Sequence, residues 1–79
     1  MNLLDNIGVK ALGAFPLKLS EARNNKNIVQ EDLAHMIDVS LRYYQRLESG
    51  KSIPTIKIAL RICRILDVSP FEIDEWQDD

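Results

Sequence analysis

Seventy-nine residues, 46% of them hydrophobic and 28% charged, allow one small globular domain and exclude a disordered chain. No apolar run approaches the roughly 18 residues of a membrane span, the first residues lack the pattern of a secretory signal, and a single cysteine, Cys63, excludes an internal disulfide and a multi-thiolate metal site, so a reducing cytoplasm is the expected setting. The net charge of −2 hides a division: residues 67–79 hold six acids and no base, which leaves ten bases against six acids in residues 1–66, a basic body with an acidic tail.

Residues 1–15 carry Leu4, Ile7, Ala11 and Phe15 at helical spacing, weakened by Gly8 and Gly13; a short helix, a swapped arm and a loose tail all fit. Pro16 suits a first helical position, and a helix is predicted from there through Leu17 to about Asn25, with Leu19 and Ala22 inward. A second helix fits Gln30–Ile37, its first turn carrying Glu31 and Asp32 toward the positive end of the dipole. After Asp38 and Val39, Ser40 is placed to cap a third helix, Leu41–Ser49, and Gly50 to end it in the left-handed region. A fourth helix, Thr55–Leu66, has an apolar arc of roughly 220°, which predicts burial by neighbours on two sides. Ser69 and Pro70 open a fifth helix that reaches about Trp76. No alternating strand pattern and no repeat is present, so the expected class is all-α.

The second and third helices are joined by so few residues that they must cross steeply. Ala34 permits their close approach, Asp38 takes a turn position with positive φ, and Leu33, Ile37, Val39, Tyr44 and Leu47 plug the angle between them. On the opposite side of the third helix Arg42 and Arg46 stand one turn apart, with Tyr43 at the flank. An arginine can donate two bonds to guanine O6 and N7, worth about 1–3 kcal/mol of discrimination. Exposed arginines at this spacing are also ordinary solvated surface; the steep helix pair is what favours a groove-reading role.

Residues 16–73 resemble the lambda-repressor/Cro-like helix-turn-helix (XRE) DNA-binding domain. The resemblance is carried by Leu19-Ser20-Glu21-Ala22-Arg23, Gln30-Glu31-Asp32-Leu33-Ala34, Val39-Ser40, Leu47-Glu48-Ser49-Gly50-Lys51, Pro54, and Ala59 through Val68-Ser69. Their order and spacing are specific together; each piece alone is weak. The resemblance implies a compact five-helix domain over residues 16–76, preceded by an arm or short helix at 1–15 and followed by an acidic tail at 77–79. It also implies a structural ion pair between Arg23 and Glu48. Carried over by position, Gln30 anchors a phosphate, while Ser40, Leu41, Arg42, Tyr43 and Arg46 face base edges or flanking phosphates. Lys51 and Lys26 take positions that touch the DNA backbone. Four positions depart from the family: Asn27 and Asp38 stand where glycine is usual, Val29 replaces the usual Ser or Thr cap, which weakens that helix start by about 0.5–2 kcal/mol, and Leu41 is the fourth. Leu41 replaces a residue that is often polar and suits a thymine methyl or simple packing.

His35, the only histidine, has no second ligand near it in sequence, and no cofactor or metal is expected. Cys63 lies mid-arc on the fourth helix and reads as a buried small hydrophobe. The C-terminal acids have no nucleophile or electrophile nearby, so no active site is expected. Phe71 and Trp76 either cap the domain's own core or meet a partner. The resulting expectation is a sequence-specific regulator, a repressor above all, that inserts helix 41–49 into the major groove of an operator as a homodimer. The fifth helix and tail, or residues 1–15, are the expected dimer surface. The competing reading is a protein-binding module of antitoxin or adaptor type on the same fold.

Overall fold

A short parallel pairing of Leu17 with Ile73 brings the two ends of the described chain together. The structure, a computed structural model, describes residues 16–78. The expected features of residues 1–15 lie outside the described residues, including Phe15. Between the paired ends run four α-helices: α1 (Leu19–Asn25), α2 (Gln30–Met36), α3 (Leu41–Glu48) and α4 (Ile56–Leu66). Two 3-10 turns follow, Pro70–Glu72 and Asp74–Trp76. The domain is all-α, as its sequence pattern predicts.

The expected fifth helix is corrected to these two turns. Ser69 and Pro70 do open the segment, but Ile73 sits in extended geometry (φ −92°, ψ 117°), which a continuous helix forbids. Ile73 is extended because its neighbours pair with Leu17. The Leu17 N–H donates to the Glu72 carbonyl at 2.6 Å and the Asp74 N–H donates to the Leu17 carbonyl at 2.7 Å. The same pairing delays α1, which starts at Leu19 rather than at Pro16 or Leu17, with Lys18 extended as its N-cap (φ −68°, ψ 145°). Ile73 itself is fully buried, so the bridge also seats a core side chain.

Three acids read as part of a tail are engaged in this clasp. Glu72 accepts from the Ser69 N–H at 2.8 Å and completes a capping box. Glu75 accepts from the Leu19 N–H at 2.9 Å and so caps α1 from the far end of the chain. Asp74 lies 3.5 Å from the Lys18 ammonium. Beyond them, the Gln77 amide donates to the carbonyls of Pro70 and Ile73 at 2.9 and 2.8 Å.

The core is built from Leu19, Leu33, Ile37, Tyr44, Leu47, Ile62, Leu66 and Ile73, each below 2% exposure. Ala22 and Ala34, at 2%, let the helix backbones approach. Val39 packs against this cluster from its edge. Turns between helices use left-handed backbone at Asn27 (φ 58°), Asp38 (61°), Gly50 (76°) and Asp67 (56°). A side chain at Gly50 would meet only Glu75 Cγ at 3.9 Å, so it is the backbone angle, not lack of room, that asks for glycine there. The expected two-sided burial of α4 is also corrected. Ala59, Ile62, Cys63 and Leu66 face the core, whereas Ile56 is 78% and Leu60 51% exposed. The width of the apolar arc marks both a packed face and an uncovered one.

Candidate nucleic-acid interface

Four residues, 37–40, connect α2 to α3. The turn is closed by backbone bonds, the Asp38 N–H to the His35 carbonyl and the Val39 N–H to the Ala34 carbonyl, at 3.1 and 3.0 Å. Ser40 then caps α3: its Oγ accepts from the Tyr43 N–H at 3.0 Å. Because Tyr44 and Leu47 are fully buried, the opposite side of α3 must face outward. Leu41, Arg42, Gln45 and Arg46 are all exposed there, and Tyr43 is half-buried at the rim of the core.

Arg42, Gln45, Arg46, Ser49 and Lys51 line one shallow depression. No carboxylate lines it. Arg42 makes no hydrogen bond or ion pair with any described residue. Arg46 is exposed but steadied: its Nε donates to Ser52 Oγ at 2.9 Å and its Nη2 to the Lys51 carbonyl at 3.3 Å. These two bonds use one edge of the guanidinium and leave its Nη1 hydrogens outward. They also fix the loop that carries Lys51 against the end of α3. Leu41 is 37% exposed at the first turn of α3, a site that suits an apolar contact. Lys26 is exposed at the end of α1.

Behind this face lies a buried fastening. Arg23 Nε donates to Glu48 Oε2 at 2.5 Å, and Arg23 Nη2 to Glu48 Oε1 at 3.3 Å. Glu48 also accepts from the Tyr44 hydroxyl at 2.5 Å and from the Gln30 amide at 2.9 Å. Arg23 Nη1 reaches on to the Ile28 carbonyl at 2.8 Å and Asn24 Oδ1 at 3.1 Å. One carboxylate thus joins α1, the start of α2 and the end of α3. Both charged side chains are about nine-tenths buried. Burial pushes the Glu48 carboxyl up, but the bonds from Arg23, Tyr44 and Gln30 outweigh it and hold the group below the usual carboxylate range. The bond to Glu48, set against burial, raises the Arg23 guanidinium above its ordinary value. Burial first, and Glu48 second, push the Tyr44 phenol far up, so it stays a neutral donor.

Gln30 is part of this fastening as well as the expected phosphate anchor. Its Nε2 donates to Glu48 and its Oε1 accepts from Gln45 at 3.2 Å, which leaves one amide hydrogen for a ligand. Gln45 and Ser49 line the depression but were not singled out by sequence. For Gln45 the signal was available: it lies between Arg42 and Arg46 on the same face, and a glutamine amide can pair with adenine N6 and N7.

Among the described residues no helix is long and apolar enough to cross a membrane, and no group of three His, Cys, Asp or Glu side chains converges as a metal site. Burial raises the Cys63 thiol, with Glu72 adding to it, in keeping with a hydrophobic rather than reactive position.

Comparison with known proteins agrees with this geometry. A helix-turn-helix family model matches residues 19–73, from the start of α1 to the bridge at Ile73. The chain is 36% identical over 62 residues to an uncharacterized HTH-type transcriptional regulator of Methanocaldococcus jannaschii, covering 78% of this chain and 94% of that protein. No solved structure matches at a significant level. The chain belongs to the XRE-type helix-turn-helix family of DNA-binding transcription regulators.

Proposed function

We propose that this protein is a sequence-specific regulator, a repressor, that inserts α3 into the major groove of an operator as a homodimer. The observation that supports this reading most is the outward pair Arg42 and Arg46 on a helix braced from beneath by Tyr44 and Leu47, in a depression with no carboxylate. In this reading Arg42 and Arg46 donate to guanine edges, Gln45 addresses an adjacent adenine, and Leu41 meets a thymine methyl. Tyr43, Ser40, Gln30 and Lys51 hold flanking phosphates and fix the register of the helix on the duplex. Repression fits because occupying a site needs only the face that the described residues supply. A dimer fits because one small module buries too little surface for tight specific binding. Two-fold symmetry then puts successive α3 helices about 34 Å apart on a palindrome. The cytoplasm, or the nucleoid within it, is the setting this function requires.

Binding to a selected duplex should weaken steeply with salt, about three orders of magnitude or more between roughly 50 and 200 mM if six or more phosphates are contacted. A salt titration by fluorescence anisotropy, run with the selected duplex and a scrambled one, checks this. A salt-independent affinity, or equal affinity for the two duplexes at every salt concentration, contradicts the proposal.

A further inference from the structure

Arg42 and Arg46 stand one turn apart in the same depression, yet their guanidiniums are held differently. Arg42 makes no hydrogen bond or ion pair with any described residue, whereas Arg46 is held by the loop that follows its own helix. Gly50, in the left-handed region (φ 76°), turns the chain back across the end of α3. The Lys51 and Ser52 N–H groups then donate to the Arg46 carbonyl at 3.0 and 3.2 Å. In the opposite direction, Arg46 Nε donates to Ser52 Oγ at 2.9 Å and Nη2 to the Lys51 carbonyl at 3.3 Å. The same two loop residues thus hold both the backbone and the side chain of Arg46, and Ser52 is half-buried there.

A guanidinium carries five N–H hydrogens in one plane. The bonds to Ser52 and Lys51 take the edge formed by Nε and Nη2. The edge left over pairs an Nη1 hydrogen with the second Nη2 hydrogen. Two parallel donors match the O6 and N7 acceptors that guanine presents side by side in the major groove. We infer that Ser52 is a positioning residue that sets specificity: with the Lys51 carbonyl it holds Arg46 so that this edge points outward and reads one guanine end-on, while Arg42 stays free to adapt. The inference rests on the DNA-reading role of α3 proposed above and adds a residue that acts through Arg46 rather than on the bases. An arginine fixed beforehand loses less rotamer freedom on binding than a free one. It also cannot swing from a wrong base to a nearby phosphate. Ser52 therefore raises discrimination at one base pair more than it raises affinity for DNA in general.

The test measures the affinity of the full chain, by fluorescence anisotropy, for a selected operator and for duplexes that differ from it by one base pair. Arg46→Ala marks the base pair that Arg46 reads, the one whose replacement no longer matters in that variant; it should be G·C. Ser52→Ala should lower discrimination at that base pair by about three- to tenfold, the loss expected of one hydrogen bond. Discrimination at the base pair marked in the same way by Arg42→Ala, and affinity for a scrambled duplex, should each change by less than about twofold. Ser52→Thr keeps the hydroxyl and should restore the lost discrimination. A Ser52→Ala variant that binds every duplex more weakly by the same factor, with a lower thermal midpoint, has a merely structural serine and overturns the inference. So does one that discriminates as well as the wild type or better, because the two bonds are then idle or are a restraint that DNA must break. The two claims separate cleanly. If Arg46→Ala leaves every base preference intact, the reading of DNA by Arg46 falls and this inference with it; if Arg46→Ala erases a preference that Ser52→Ala keeps, only this inference falls.

Discussion

Two carboxylates hold α1 in place, and they work in different surroundings. Glu48 is nearly buried and accepts four hydrogen bonds, from Arg23, Tyr44 and Gln30. Glu75 is half-buried in the C-terminal segment and accepts one bond, from the Leu19 N–H. Near Glu48 the Arg23 Nε and Nη2 hydrogens and the Tyr44 hydroxyl have no other acceptor among the described residues, so removing it strands them. Near Glu75 one backbone N–H is at stake, that of the buried Leu19, and no charge is stranded with it. The difference teaches that the worth of a charged tie is set less by the pair itself than by what remains if one partner goes.

The largest effect follows from breaking the buried tie. Glu48→Ala should cost about 3–5 kcal/mol, because it leaves the Arg23 charge and the Tyr44 hydroxyl unpaired. Urea denaturation of variant and wild type checks this, and a loss below 1 kcal/mol would show that the interior relaxes around the gap. The same group sets an acid dependence. Its folded pKa lies below the unfolded value near 4.5, so its stabilisation is complete above that value and is lost as pH falls through the lower, folded one. Thermal midpoints from pH 7 downward should therefore fall in the wild type more than in Glu48→Gln, which has no carboxyl to titrate.

The half-buried tie sets the middle of the scale. Glu75→Ala removes a capping acceptor from α1 and should cost about 0.5–2 kcal/mol by the same urea assay, well short of the Glu48 loss. Equal costs at the two sites would erase the distinction between them. At the small end is a gain. Val29, the N-cap of α2, is 60% exposed and makes no capping bond, with backbone already extended (φ −80°, ψ 158°). Val29→Ser should raise stability by about 0.5–1 kcal/mol by supplying the missing acceptor, which a small rise in thermal midpoint would show.

The helix pair and the outward arginines were legible in the sequence because helical spacing fixes which side chains share a face once Tyr44 and Leu47 are assigned inward. The resemblance to a known family added the Arg23–Glu48 pairing, which no local pattern reveals across 25 residues. The clasp between Leu17 and Ile73 was not legible. A single bridge has no period, and the residues around it carry good helix starts in Pro16 and in Ser69 with Pro70. The acids 72–75 therefore read as a tail, although each is tied to a backbone N–H or a lysine. The uncovered side of α4 was hidden for another reason: an apolar arc records where water is unwelcome, and the same residues serve a core or a partner. Gln45 carries no charge to mark it, and its place between Arg42 and Arg46 on one helical face is the only signal the sequence holds for it.

The most direct measurement is protection of a selected operator by the wild type and by Arg42→Ala with Arg46→Ala, each also followed by thermal unfolding. The account predicts that the double variant loses sequence-specific protection while its thermal midpoint stays within a few degrees, since Arg42 has no partner among the described residues and Arg46 only exposed ones. A double variant that folds normally and protects the same base pairs as the wild type would contradict the assignment of α3 as the helix that reads DNA.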